Sequence, residues 1–356
     1  MVFYIAFFRT YGILNIRHPK GGIDREKENH KEHPCGDRSF FSVVNLLPPK
    51  QNVQTNPFRV AQGGLPLIAA HRGGGGNYPE NTMLAFREAV YGAGANIIET
   101  DLHLTKDGYL VYNHDSYIDE TCNINGDISL EEVKEICKDK ANRHYIADMT
   151  LEELRRYNFG YYFEDESGNR VYKNTGLLEA FGLQIATVDQ LFEEFYGEYP
   201  ELKFIVEIKN SGQQGKEAVR ILAETLEKYP GYKDQIVIGT FNQEIENELK
   251  EKYPHLLRGA STGSAAKFVL TQYLGVNLFD NSDFSCLQIP MSYELKGIEL
   301  DLVAKTITKR AHRRGIAVQY WTINDPDEMR LLIEMGVDCI MTDDPVLMKQ
   351  ILEEYR

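Results

Sequence analysis

The stretch PLIAAHRGGGGNYPENTMLAFREAVYGAGANIIETDLHLTKDGYLVYNHD, residues 66–115, reads as strand, helix, strand and hairpin, in that order. PLIAAH (66–71) and ANIIETD (95–101) are short apolar runs of the kind that form buried strands. Between them Asn81-Thr82 can cap a helix carrying Leu84, Phe86, Ala89 and Val90, and Gly92 and Gly94 stop it. YLVYNHD (109–115) follows a KDG turn, which allows a hairpin in place of a crossover.

The same rhythm continues outward. KFIVEIK (203–209), QIVIGTF (235–241), LLRGAS (256–261), CLQIP (286–290), AVQYWTI (317–323) and DCIMTD (338–343) read as further strands, the run at 286–290 being the weakest. Asn324-Asp325-Pro326 opens a helix that ends at Gly336, and Asp344-Pro345 opens the last one. Eight strands alternating with helices predict an α/β fold, a TIM (β/α)8 barrel. Residues 120–186 are too long for a simple loop and carry two helical runs of their own, SLEEVKEICKD and TLEELRRYN. They predict a small insertion after the second strand and its hairpin.

The chain has 356 residues, 42% of them hydrophobic and 26% charged, which excludes a wholly disordered chain and a polytopic membrane protein. Its net charge of −14 lacks the basic footprint of a nucleic-acid binder. The charge is uneven. Residues 1–66 hold nine Lys/Arg against five Asp/Glu, so the acidity lies in the remainder. We therefore expect an N-terminal extension over 1–65, with an apolar start and a polar linker, followed by the barrel over 66–356.

The apolar run 2–16 (VFYIAFFRTYGILNI) is interrupted by Arg9 and is too short for a transmembrane helix. It lacks the basic start and small-residue cleavage site of a secretory signal. It leaves room for membrane contact through an interfacial anchor. His30, His33 and Cys35 fit no standard metal spacing and read as solvated linker. The five cysteines form no CxxC and their number is odd, so free thiols are expected. Free thiols and an acidic body favour the cytoplasm, while the apolar start favours a membrane. The oligomeric state is not legible.

Chemistry gathers at the strand ends. Residues i and i+2 of a strand share a face. That puts Glu99 with Asp101 in IIETD, and Glu207 with Lys209 in VEIK, while Ile98, Thr100, Val206 and Ile208 take the opposite faces. The C-terminal rim is where barrel enzymes keep their reactive groups. Three carboxylates converging there repel one another, and a divalent cation removes the conflict. All-oxygen ligands point to Mg2+ or Ca2+. His71 ends the first strand and His114 the hairpin strand, and two imidazoles beside a metal site invite acid–base work. The loop GGGGN (73–77) can offer backbone N–H groups to an anion, or can be a tight turn.

These ordered motifs resemble the signature region of the glycerophosphodiester phosphodiesterases. The pattern is His71-Arg72-Gly73, Pro79-Glu80-Asn81-Thr82, Glu99 with Asp101, Thr105 to Gly108, and His114-Asp115, followed by VEIK (206–209), WTIN (321–324) and TDDP (342–345). The resemblance spans about residues 66–350 and implies a TIM barrel with a small insertion. It implies metal-dependent hydrolysis of small-molecule glycerophosphodiesters to sn-glycerol 3-phosphate and an alcohol. By position, Glu99, Asp101 and Glu207 would hold one divalent cation, and His71 and His114 would be the acid–base pair. Arg72 and Lys209 would contact phosphate, and Trp321 would line the glycerol or head-group pocket. Asn81 and Asp115 look like positional support. Two alternatives stay open: a phospholipase of the D or C type acting on lysolipids or inositol lipids on the same barrel, and a non-catalytic barrel that binds glycerophosphodiesters. The long insertion, the extra glycines after His71 and the first 65 residues depart from the minimal family domain.

Overall fold

The computed structural model describes residues 55–273, 280–295 and 298–356. Among the described residues eleven strands are formed: β1 (Leu67–Ala70), β2 (Ile97–Leu104), β3 (Leu110–Tyr112), β4 (Lys203–Ile208), β5 (Ile236–Gly239), β6 (Leu257–Arg258), β7 (Cys286–Ile289), β8 (Ser292–Leu295), β9 (Ile298–Asp301), β10 (Ala317–Tyr320) and β11 (Cys339–Thr342). Eight of them are parallel neighbours in the order β6-β5-β4-β2-β1-β11-β10-β7. A parallel bridge between Gly259 and Cys286 joins the two ends of that row, so the sheet closes on itself. This is the expected (β/α)8 barrel. All eight of the barrel strands expected from the sequence are present. β6 is only two residues long, and Gly259 just beyond it makes the bridge to β7.

Side chains sort by strand period. Ile98, Phe204, Val206, Ile236 and Ile238 pack outward with the helices in one apolar layer. Ala69, Ile97, Ile205, Val237, Cys286, Ala317, Cys339 and Met341 fill the interior. The helices are capped as the sequence implies. Thr82 accepts from the Ala85 N–H, Asp325 from those of Asp327 and Glu328, and Asp344 from that of Leu347. The first helix runs over Met83–Arg87, widens into a π-turn over Glu88–Ala93, and stops at Gly94 in the left-handed region.

β3 folds back antiparallel on β2, so the KDG turn makes a hairpin. Between β3 and β4 the two helical runs form Leu130–Ile136 and Leu151–Leu154, each opened by a capping box (Ser129 with Glu132, Thr150 with Glu153). The hairpin β8–β9 has no counterpart among the expected strands. Its strands, SYEL and IELD, are four residues long and mix polar with apolar types, so they lack the apolar run of a barrel strand.

Part of the stretch read as linker closes the barrel floor. Phe58 is fully buried among the interior residues. Asn56 Nδ2 donates to the carbonyls of Ser285 (2.7 Å) and Gly315 (2.9 Å), which lie just before β7 and β10. Val60 N–H donates to Asp338 Oδ1 (3.0 Å), just before β11. We expect Phe58→Ala to destabilise the fold by about 3–5 kcal/mol, since the barrel walls cannot collapse into the gap. Denaturant unfolding checks this, and a loss under about 1 kcal/mol would contradict the plug.

Cys122, Cys137, Cys286 and Cys339 are free and buried. No helix among the described residues is long and apolar enough to cross a membrane. The apolar run 2–16 and the His30, His33 and Cys35 group lie outside the described residues.

Candidate active site

The C-terminal ends of the barrel strands surround a cavity of about 280 Å³, lined among others by His71, Arg72, Glu99, Asp101, His114, Glu207, Lys209 and Trp321. All eight of the residues singled out in the sequence therefore meet in one place. Strand register explains why. β2 and β4 are parallel neighbours with Asp101 level with Glu207 and Glu99 level with Ile205. Adjacent strands lie about 4.8 Å apart, so two inward carboxylates at one level are close, and Glu99 sits one inward step below. Oxygens of Glu99, Asp101 and Glu207 all lie within 4.8 Å of one another.

Burial makes this cluster electrostatically demanding. Glu99 and Asp101 are only 4% and 2% exposed. Burial, with the charge of Asp101 behind it, pushes the Glu99 carboxyl up to about 8. Burial also raises Glu207. Asp101 goes the other way: burial opposes its ionisation, but Lys209 and Arg72 outweigh it and hold its pKa low. Lys209 Nζ bonds both Asp101 Oδ1 (3.0 Å) and Glu207 Oε1 (3.1 Å). Asn81 Nδ2 donates to Asp101 Oδ2 (3.0 Å) while its Oδ1 accepts from Thr100 Oγ1 (2.7 Å), which makes it the support the sequence suggested. Three carboxylates, two of them buried and two driven toward protonation, suit a hard divalent cation.

The Arg72 backbone N–H donates to Glu99 Oε2 (2.9 Å), and its guanidinium bonds Glu80 (2.9 Å) and approaches Asp101 (3.5 Å). His71 Nδ1 lies 2.6 Å from Asp343 Oδ1, and Nε2 lies 4.0 Å from Glu99 Oε2. Burial pulls the His71 pKa down, but the bond to Asp343 and the charge of Glu99 outweigh it and raise the net value. Asp343 itself is opposed by burial yet held low by His71. An ionised carboxylate only accepts, so Nδ1 carries a proton and Nε2 is the nitrogen left for chemistry. Asn324 Nδ2 fixes the other oxygen of Asp343 (2.6 Å). His114 Nδ1 lies 3.2 Å from Asp115 Oδ1, and its backbone carbonyl accepts from His103 Nε2 (3.4 Å). His103 is buried, which drops its pKa to about 4 and keeps it neutral.

The glycine loop is a tight turn. The N–H groups of Gly74 and Gly75 donate to the His71 carbonyl, that of Gly76 to the Asp343 carbonyl (3.0 Å) and that of Asn77 to Gly74. Those donors are spent within the chain, so they offer an anion nothing. At Gly76 a side chain would meet the Asp343 carbonyl 3.0 Å away, so the glycine lets the loop seat against the segment that holds His71.

Asp343, Glu80, Asn324 and Phe241 were not assigned roles from the sequence. Phe241 meets the Trp321 ring edge-on (centroids 5.9 Å apart, 71°) at the cavity mouth. The TDDP motif held a signal: Asp344 is spent as a helix cap, which leaves Asp343 at a strand end free for the rim.

We expect Asp343→Asn to lower kcat at least about tenfold while KM changes little, because His71 loses its orientation and its anion. Loss of that anion lowers the His71 pKa. With His71 as the acid, the alkaline limb of the kcat–pH profile therefore moves to lower pH. An unchanged profile would contradict the pairing.

A parallel barrel with clustered acids, two imidazoles and two cations at its C-terminal mouth belongs among the TIM-barrel hydrolases. The family profile described as the Glycerophosphoryl diester phosphodiesterase family matches residues 71–347. The chain belongs to that family, and it is a phosphoric diester hydrolase. It is 26% identical over 279 residues to a glycerophosphodiester phosphodiesterase of Caldanaerobacter subterraneus, covering 78% of this chain and 94% of that protein. Among solved structures, a glycerophosphodiester phosphodiesterase from Agrobacterium tumefaciens matches with a TM-score of 0.57 at 19% identity, covering 80% of this chain and 100% of that one. A phosphodiesterase from Oleispira antarctica, in complex with the product sn-glycerol-3-phosphate, matches with a TM-score of 0.58 at 21% identity, covering 81% and 97%. These structural likenesses carry the fold.

Proposed function

We propose that this barrel cleaves glycerophosphodiesters to sn-glycerol 3-phosphate and an alcohol, with Glu99, Asp101 and Glu207 holding one divalent cation and His71 and His114 moving the protons. The observation that carries the reading is the gathering of three carboxylate oxygens within 4.8 Å beside both imidazoles in one cavity. Bound by these oxygens, Mg2+ or Ca2+ supplies Lewis-acid stabilisation of the phosphate charge. Arg72 and Lys209 add fixed positive charge where the equatorial oxygens gain negative charge. His114 takes a proton from the nucleophile, either water or a neighbouring glycerol hydroxyl. The nucleophile forms a bond to phosphorus as the bond to the leaving alcohol breaks; where the hydroxyl attacks, water then opens the cyclic phosphate to sn-glycerol 3-phosphate, giving its proton to His71 while His114 returns its proton to the ring oxygen that leaves. His71, its pKa raised by its pairing with Asp343, gives the Nε2 proton to the leaving alkoxide, a poor leaving group unaided. Trp321 and Phe241 wall the mouth with apolar surface against the organic part of the substrate.

Turnover tests this directly. Glycerophosphocholine, glycerophosphoethanolamine, glycerophosphoglycerol and lysolipids are offered with added metal and followed by phosphorus NMR. The reading expects sn-glycerol 3-phosphate from the glycerophosphodiesters. Release of phosphocholine and glycerol, a lasting cyclic phosphate, or binding without turnover would each reject it in favour of an alternative raised from the sequence.

A further inference from the structure

Glu80 bonds an arginine of the cavity wall, yet it has no part in the chemistry above. Its Oε2 accepts from Arg72 Nη1 at 2.9 Å, with the Arg72 side chain 21% exposed and that of Glu80 32%. Arg72 lines the cavity and Glu80 does not, so the guanidinium is gripped from outside the space a substrate would fill. This is the only hydrogen bond the guanidinium makes among the described residues. Its Nε comes 3.5 Å from Asp101 and makes no hydrogen bond. Asp101 is already engaged by Lys209 (3.0 Å) and Asn81 (3.0 Å). Burial opposes the charge on Arg72, and Glu80, ahead of Asp101, outweighs that burial.

The backbone fixes the pair. Arg72 lies in the left-handed region (φ 52°), which a residue with a Cβ adopts only under constraint. Its N–H donates to Glu99 (2.9 Å), and its carbonyl accepts from the Asn81 N–H (2.8 Å). That second bond ties the residue after Glu80 directly to Arg72. The Asn81 side chain turns to Asp101, so two neighbouring residues support the cationic arm and the acid cluster separately. Gly75 leaves room for Glu80, since a side chain there would meet the Glu80 Cβ at 3.2 Å.

We propose that Glu80 is a positioning residue that aims Arg72 at the substrate phosphate, a reading that rests on the phosphodiesterase function above. A guanidinium carries its N–H donors in a planar fork. With one Nη1 proton held by Glu80 the fork cannot swing, and the Nη2 edge stays open for phosphate oxygens. Without Glu80 the strongest remaining pull on the guanidinium is Asp101. Arg72 then settles on the acids and its charge is lost to the phosphate. Glu80 stands outside the cavity, so its whole effect passes through Arg72.

The test is a double-mutant cycle in the hydrolysis of glycerophosphocholine, with thermal melting to verify that each variant is folded. Glu80→Ala should lower kcat/KM at least about tenfold, the size of one charge-assisted hydrogen bond. In an Arg72→Ala background the same change should matter less than about twofold. Glu80→Gln keeps the shape and an accepting oxygen without the charge. It should lose less than Glu80→Ala, with the same dependence on Arg72, and it carries the test if the alanine variant does not fold. Calorimetry with sn-glycerol 3-phosphate in Mg2+ buffer repeats the cycle without turnover, and binding should weaken only where Arg72 is present. Equal losses in both backgrounds mean a structural role and overturn the assignment. So does a loss under about twofold in folded Glu80→Ala with Arg72 in place. Near-normal turnover by Arg72→Ala, or none by the wild type, overturns the reading beneath this inference and the inference with it.

Discussion

Replacing His71 or His114 with Ala lowers turnover of glycerophosphocholine by at least about 100-fold, with cation binding retained. The geometry gives the reason. Neither imidazole is among the three carboxylates that could hold the cation, and both face the cavity. His71 is tied to Asp343 at 2.6 Å, so its loss removes a proton donor poised at Nε2. His114 is tied to Asp115 at 3.2 Å and held through its backbone by His103. A single group cannot serve both ends of the reaction, because one proton must leave the nucleophile as another reaches the alkoxide. The two variants should therefore fail independently, and a substrate with an activated leaving group should rescue His71→Ala more than His114→Ala. Near-normal turnover in either variant rejects the two-histidine scheme.

The second large effect concerns the acids. Glu99→Gln, Asp101→Asn and Glu207→Gln should each abolish cation-dependent turnover and the rise in melting temperature that Mg2+ or Ca2+ gives the wild type. That rise follows from linkage, since only the folded chain assembles the three oxygens. Glu99→Gln carries an added signature. Burial and Asp101 push its carboxyl up to about 8, so a neutral amide there relieves repulsion. Without metal, the Glu99→Gln protein should be at least as stable as the wild type. A variant that loses stability without metal and still responds to it would contradict the cluster.

The residues that carry these predictions were legible because strand period and strand register are local rules. The i, i+2 spacing in IIETD and VEIK already put Glu99 with Asp101 and Glu207 with Lys209, and barrel closure needed only to bring β2 beside β4. Asp343 was harder to see. It lies 272 positions from His71, and only the meeting of the first and last strands, β1 and β11, joins them. Phe58 was misread as linker because a lone aromatic in a polar run has no periodicity to mark it. The hairpin β8–β9 escaped for want of an apolar run. The glycine loop could be read two ways in the sequence, and its hydrogen bonds decide for the turn.

The most direct measurement is hydrolysis of glycerophosphocholine by the full chain in excess EDTA, followed by return of Mg2+ or Ca2+. The proposed site predicts silence under chelation and recovery of sn-glycerol 3-phosphate when the ion is restored. Undiminished turnover in EDTA would mean that Glu99, Asp101 and Glu207 do not hold the ion the reaction needs.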